Sequence, residues 1–201
     1  IICEEIARVD WVVASVISVS NSLCAGSITR FGTEAQKQRW LPGIAAGDVI
    51  CSACLTEPGG GTDLGNMATT ATKVDGGYTL QGSKVFISHA AHAGLFFVVA
   101  SIDLEKKHKG VTAFLVDPKQ TTGITIGDFP LRTLKRDNLA EVHFENAFVP
   151  DETVLGEPGG GFPVLGSALD TGRFSVASRQ VGQAQRALDL ALPYASERTA
   201  F

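Results

Sequence analysis

The 201-residue chain is 44% hydrophobic and 19% charged, enough apolar content to bury a sizeable core in one large domain or parts of two or three. A net charge of -4 and a pI near 5.5, with Lys and Arg scattered along the chain, exclude the basic footprint of a nucleic-acid binder. Four cysteines, Cys3, Cys24, Cys51 and Cys54, are too few and too unevenly spaced for a disulfide framework, which favours a reducing compartment.

Residues 4 to 24 are apolar on most faces and predict one interior helix ending near Asn21 and Gly26. The strongest hydrophobic run within it, Trp11 to Val19, is interrupted by Ser15 and Ser18 and is far shorter than the roughly 20 apolar residues of a bilayer span. A buried helix is therefore expected, and no membrane span. Thr33-Glu34-Ala35-Gln36 is a capping box, in which the Thr and Gln side chains each satisfy an orphan backbone donor. The helix it opens is expected to close before Pro42-Gly43.

From Val49 the pattern changes to short strand-like runs, which places a boundary near Gly47-Asp48. Cys51 and Cys54 form a C-x-x-C, but neither a following helix nor a second ligand pair is present, so they read as packed strand thiols. Met67 to Val74 and Tyr78 to Gln81 flank Asp75-Gly76-Gly77, a hairpin signal. Val85 to Ser88, Leu95 to Ser101, Val111 to Val116, Ile124 to Ile126 and Glu141 to Val149 complete the strands. With no helical period between them, an antiparallel barrel or sandwich is expected.

After Gly156-Glu157-Pro158-Gly159-Gly160-Gly161, read as a hinge, the helical period returns. Ala177, Val181, Ala184, Leu188, Ala191 and Ala195 form an apolar stripe suited to packing against other helices, with a kink expected at Pro193. The expected architecture is multidomain α+β. It comprises the end of a helical domain (1–47), a β-domain (48–158) and the first helices of a C-terminal four-helix bundle (159–201). The chain lacks an initiating Met and the remaining bundle helices, so it is expected to be part of a longer protein.

Leu55-Thr56-Glu57-Pro58-Gly59-Gly60-Gly61-Thr62-Asp63 is the stretch richest in chemistry. Three glycines permit left-handed or extended backbone close to a ligand, and Thr56 and Thr62 add hydroxyls, so the loop suits a phosphate; a tight surface turn is the alternative. The sequence contains no G-x-G-x-x-G, no Gly-Lys-Ser/Thr and no G-x-S-x-G, which argues against a nicotinamide Rossmann domain, a P-loop and an α/β-hydrolase elbow. His89 and His92 lack acidic or thiol partners at a telling spacing and read as a solvated loop, so no metal is expected.

Six words then follow in order: Leu55 to Asp63, Leu80-Gln81-Gly82-Ser83-Lys84-Val85-Phe86-Ile87-Ser88, Lys109 to Val116, Val142 to Pro150, Leu169-Asp170-Thr171-Gly172-Arg173 and Glu197-Arg198-Thr199-Ala200-Phe201. Over essentially the whole chain this resembles the acyl-CoA dehydrogenase family. The resemblance implies FAD held between the β-domain and the bundle. It also implies that Ala53, Leu55 and Thr56 line the flavin ring, and that Gly61 and Thr62 meet the pyrophosphate, Thr62 standing where the family's T-E-P-G-x-G-S-D has Ser. Phe86-Ile87-Ser88 matches the aromatic-Ile-Thr word, with the ring against the isoalloxazine and the Ser88 hydroxyl toward N5. Thr62, Asp170 and Arg173 are implied on the acyl-CoA, with a simple Asp170–Arg173 ion pair as the alternative. Arg198 and Phe201 are implied on the FAD of a neighbouring subunit.

The implied activity is α,β-dehydrogenation of an acyl-CoA thioester, with electrons passed to an electron-transferring flavoprotein by a homotetramer or dimer. The rivals are an acyl-CoA oxidase or flavin monooxygenase on the same scaffold, and a non-catalytic flavin or acyl-CoA binding protein. The family's Glu base is expected beyond Phe201. Its minority position, immediately before the Arg of D-x-x-R, is Gly172 here, and Glu57 and Asp63 are expected to serve structural hydrogen bonds. The piece alone is expected to be inactive. The expected location is cytoplasmic in a bacterium, mitochondrial matrix in a eukaryote.

Overall fold

Asp10 divides the N-terminal apolar region. In this computed structural model, which describes residues 1–129 and 139–200, its carboxylate accepts the Val12 and Val13 N–H groups at 2.8 and 3.2 Å. It thereby caps α2 (Trp11–Ser18) and separates it from α1 (Ile2–Ala7). The single helix expected over 4–24 is therefore two. The second does not stop near Asn21: it runs through a π-helical turn (Val19–Ala25) into α3 (Gly26–Phe31).

The resulting stretch, Trp11–Phe31, is 21 residues long and contains an 18-residue window with a mean hydropathy of 1.5, apolar enough by length and composition to cross a bilayer. Its serines tie it to the rest of the chain. Ser15 Oγ lies 3.2 Å from His89 Nε2, Ser18 Oγ 2.6 Å from Ser175 Oγ, and Ser20 Oγ accepts the Cys51 N–H at 3.2 Å. The capping box at Thr33 and Gln36 forms as read, opening α4 (Glu34–Ala46). That helix continues through Pro42, because Trp40 and Ile44 are buried one turn apart and hold its last turn, and it ends at left-handed Gly47.

The strands are β1 (Cys51–Cys54), β2 (Thr70–Val74), β3 (Gly77–Ser88), β4 (Leu95–Ser101), β5 (Val111–Val116), β6 (Ile124–Phe129), β7 (Leu139–Pro150) and β8 (Val154–Leu155). They form one sheet in the order β6-β7-β3-β2-β4-β5-β8, with β1 beside β4. Asp75-Gly76 closes the β2–β3 hairpin as expected, with Val74 opposite Gly77 and Gly76 at φ 72°. β3 is one strand of 12 residues where two were expected: register shifts at Leu80/Gly82 and Lys84/Ile87 bend it without ending it. The sheet is mainly antiparallel, but β1 runs parallel to β4 in full register, against the purely antiparallel reading.

β4 and β5 are buried along their whole length and separate two cores. Leu95, Phe97, Val99, Val111, Ala113 and Leu115 pack under the helices, whereas Phe96, Val98, Ala100, Phe114 and Val116 face β3 and β7. Strand alternation distributes one apolar run between both layers.

α5 (Gly161–Glu197) is a single helix of 37 residues, where the first helices of a bundle were expected, and it continues past Pro193. The stripe from Ala177 to Ala195 is exposed. The face of α5 buried in this chain carries Val164, Leu165, Ala168, Gly172, Ser175, Arg179 and Gly182. There α1 comes so close that a Cβ on Gly182 would stand 2.1 Å from the Glu4 carbonyl oxygen, and Arg179 lies 4.4 Å over the Trp11 ring. The order of N-terminal helices, central sheet and C-terminal helix is the mixed α+β architecture expected.

Candidate flavin and thioester site

Thr56 of the glycine-rich word and Phe86 lie 30 residues apart in sequence, yet their segments run side by side in space. Ser52 Oγ donates to the Ser88 carbonyl oxygen at 2.7 Å, and Val85 N–H donates to the Thr56 carbonyl oxygen at 2.9 Å. Residues 52–56 thus run antiparallel to 85–88. Ala53, Thr56 and Ser88 are half-buried, and Phe86 is 53% exposed. Phe86 sits at φ 58°, a left-handed conformation that is an outlier for a bulky aromatic and concentrates at functional sites.

Beneath this surface Glu57 and Lys84 form a buried ion pair at 2.8 Å, with side chains 7% and 0% exposed. Lys84 Nζ also donates to the Leu55 carbonyl oxygen at 3.1 Å, while Glu57 accepts the backbone N–H groups of Ala68 and Thr69. Burial pushes the Glu57 carboxyl up, but the charge and hydrogen bond of Lys84, with the Thr69 and Ala68 donors, hold it below its ordinary value. Burial pulls Lys84 below the ordinary lysine range, opposed by Glu57. Glu57 is therefore committed to structure, as expected. Lys84 belongs to a word that sequence reading singled out, but its own role was missed. No local alternation marked it: Gly82, Phe86 and Ser88, of the same parity, are not buried, and only the register opposite Val142 places Lys84 inside.

The loop itself is a tight turn: Glu57 N–H donates to the Gly60 carbonyl oxygen at 3.0 Å and Gly60 N–H to that of Glu57 at 3.1 Å. None of Gly59, Gly60 and Gly61 adopts a left-handed φ, contrary to one of the two conformations expected. A Cβ on Gly59 or Gly60 would meet nothing within 4 Å, whereas one on Gly61 would stand 3.0 Å from Thr56 Cγ2. Thr62 is exposed. Leu55 and Ile87, both expected at the flavin, turn their side chains into the two cores, so a ligand would meet them through the backbone.

Other expected residues lie elsewhere. Asp170 and Arg173 are exposed on α5 and form no ion pair with each other among the described residues. Gly172 packs against Leu23, where a Cβ would stand 2.9 Å from Leu23 Cδ2, so a longer side chain there would run into the N-terminal helices. Arg198 follows α5 and lies 3.4 Å from the Tyr194 hydroxyl. Phe201 lies outside the described residues. The solvated-loop reading fails for His89, which is buried, left-handed and bonded to Ser15; His92 is exposed. Cys51 and Cys54 are buried in β1 as packed thiols, and burial pushes the Cys54 thiol up to about 12.

Three family models match in succession: acyl-CoA dehydrogenase, N-terminal domain over residues 1–48, middle domain over 52–147 and C-terminal domain over 159–201. The bovine mitochondrial short-chain specific acyl-CoA dehydrogenase is 42% identical over 199 residues, which covers 98% of this chain and 48% of that protein. Butyryl-CoA dehydrogenase from Megasphaera elsdenii superposes with a TM-score of 0.94 at 39% identity, over 99% of this chain and 52% of its own. PigA with FAD and proline superposes with a TM-score of 0.92 at 28% identity, over 99% of this chain and 52% of its own. The chain spans about half the length of the curated relatives it matches. With all three domain models matched in order on a fold shared at this level, the chain belongs to the acyl-CoA dehydrogenase family.

Proposed function

We propose that the protein containing this chain is an FAD-dependent acyl-CoA dehydrogenase, with 1–47, 48–158 and 159–201 belonging to its helical, β and bundle domains. The observation that carries this reading is the half-exposed Phe86 ring, held at a left-handed φ with the backbone of Thr56 and Ser88 tied to its own neighbours. An aromatic face between hydroxyl-bearing strand ends, flanked by glycines with open space beside them, fits a flavin ring and its pyrophosphate. FAD, when bound there, supplies the hydride acceptor for the β-hydrogen of an acyl-CoA thioester.

The chain's own residues bind and orient. Phe86 would pack against the ring, and the Ser88 and Thr56 hydroxyls would offer hydrogen bonds to its polar edge. Gly61 and Thr62 hold the pyrophosphate by close backbone approach and a hydroxyl. Thr62, Asp170 and Arg173 meet the thioester's CoA portion, Arg173 as a fork of donors, while Arg198 and Phe201 reach a neighbouring subunit's FAD. The α-proton would be taken by a Glu outside this sequence, since Gly172 carries no side chain and Glu57 is ion-paired. An electron-transferring flavoprotein would be the electron acceptor. Both mitochondrial and bacterial relatives support a matrix or bacterial cytoplasmic setting.

The test is an anaerobic titration of the purified full-length protein with a panel of acyl-CoA thioesters of different chain length. Bound oxidised flavin, bleached by at least one of them and reoxidised by the flavoprotein acceptor faster than by oxygen, is expected. A protein without flavin, or a flavin that no thioester bleaches, overturns the reading; rapid reoxidation by oxygen makes it an oxidase.

A further inference from the structure

Lys84 is fully buried, yet a hydrophobic side chain of similar volume would serve a core at least as well, because desolvating two charges offsets most of their attraction. The charge is better explained by what it holds in place. On one side of β3 the ladder to β7 skips Val85 and Phe86: Lys84 pairs with Val142 and the next pair is Ile87 with Ala140. The bulged residues are tied from the other side instead. Val85 N–H reaches the Thr56 carbonyl oxygen at 2.9 Å, and Lys84 Nζ reaches the Leu55 carbonyl oxygen at 3.1 Å and Glu57 Oε1 at 2.8 Å. Glu57 in turn accepts the N–H groups of Ala68 and Thr69, so one carboxylate joins three segments.

A left-handed aromatic persists only where its surroundings over-determine the backbone. Here those surroundings are the 55–57 segment, and that segment is held by the ion pair. We infer that Lys84 and Glu57 are positioning residues: together they clamp Leu55–Glu57 against the β3 bulge and so set where the Phe86 ring and the Thr56 hydroxyl stand. Neither charge faces the ligand. The pair acts through the two groups that do, and the inference rests on the flavin reading above.

The experiment uses the full-length protein reconstituted with FAD and compares wild type with Glu57→Gln, Lys84→Met and the double variant. Glu57→Gln keeps the shape and loses the charge, and it turns one acceptor oxygen into an NH2 donor, so that only one oxygen is left to accept from the Ala68, Thr69 and Lys84 donors. Lys84→Met strands a buried carboxylate and is the variant most prone to misfolding, whereas the double variant removes both charges at nearly constant shape. The double variant is expected to melt cooperatively, to bind FAD at least tenfold more weakly and to show a shifted visible flavin band. In its loaded fraction kcat falls about tenfold while the KM for acyl-CoA stays within twofold, with Glu57→Gln intermediate.

A purely structural role would lower the melting temperature and leave the flavin band and kcat of the loaded fraction unchanged. That result in Glu57→Gln and the double variant overturns the inference and leaves the flavin reading standing. A wild type that binds no FAD overturns both.

Discussion

The chain contains the sequence Glu-Pro-Gly-Gly-Gly twice, at 57–61 and 157–161, and the two copies share a turn but not a purpose. In each, the fourth residue's N–H closes on the glutamate carbonyl, Gly60 to Glu57 at 3.1 Å and Gly160 to Glu157 at 2.9 Å. Beyond that turn they diverge. Glu57 is buried against Lys84, whereas Glu157 is exposed. Gly159 is left-handed at φ 77° and Gly161 lies so near β5 that a Cβ would stand 2.6 Å from the Ala113 nitrogen, while Gly59 and Gly60 have neither constraint. The fold needs the second run's glycines and the first run's glutamate. Glycines that the fold does not need are the ones available to a ligand.

The sharpest way to break this comparison is at the glutamates. Glu57→Ala leaves Lys84 charged and unpaired in the core and is expected to cost about 3–5 kcal/mol, read from chemical denaturation. Glu157→Ala is expected to fall within about 0.5 kcal/mol of wild type. The same contrast has a pH signature. Glu57 is held below its ordinary value, so the unfolded state binds more protons in that window and stability rises with pH through it. Its contribution is complete above the unfolded glutamate value of about 4.3 and is lost as pH falls through the lower folded value. Melting temperatures between neutral pH and about pH 3 should therefore fall more steeply for wild type than for Glu57→Gln; parallel curves would mean the pair is not ionised in the fold.

At the second run the effect is steric. Gly161 begins α5 against the Thr112–Ala113 backbone, where no flexible side chain can yield. Gly161→Ala is expected to destabilise by about 1–3 kcal/mol through overpacking. A melting temperature equal to wild type would show that α5 shifts freely on β5, and the fold-required status of this run would go with it.

What sequence reading recovered follows the same division between local and remote causes. The capping box at Thr33 and the Asp75-Gly76 hairpin depend on residues a few positions apart, and both stand as read. The Glu57–Lys84 pair joins residues 27 apart and depends on the register of β3, which no local pattern encodes. His89 looked solvated because its partner Ser15 is 74 residues away. On α5 the apolar stripe, expected to pack against other helices, is exposed in this chain, and the face that this chain buries carried no such mark. The buried side is built of Gly172, Ser175 and Gly182 because α1 and α2 approach its backbone, and close approach selects small residues that a hydropathy period does not mark. Of the site, the residues named by the family words were brought together where they share β1, β3 and the loop between them, and were left apart where they depend on α5.

Among the glycine substitutions the least destabilising are expected at Gly59 and Gly60, and they are also the most discriminating. Neither is left-handed and a Cβ on either meets nothing within 4 Å, so alanine there fits the folded backbone and restricts only the unfolded chain. Gly59→Ala and Gly60→Ala are expected to leave stability unchanged or to raise it by up to about 1 kcal/mol. If the loop is a ligand wall, the same methyl groups stand where the ligand must approach, and FAD or acyl-CoA affinity should fall severalfold in the full-length protein. Gly61→Ala should lower both stability and affinity, because its methyl group would press on Thr56 Cγ2 at 3.0 Å and displace a residue proposed for the flavin edge. Calorimetry and ligand titration on the same three variants separate the two roles. Affinities equal to wild type at Gly59 and Gly60 would reduce the first run to what its hydrogen bonds alone describe, a surface turn pinned by its glutamate.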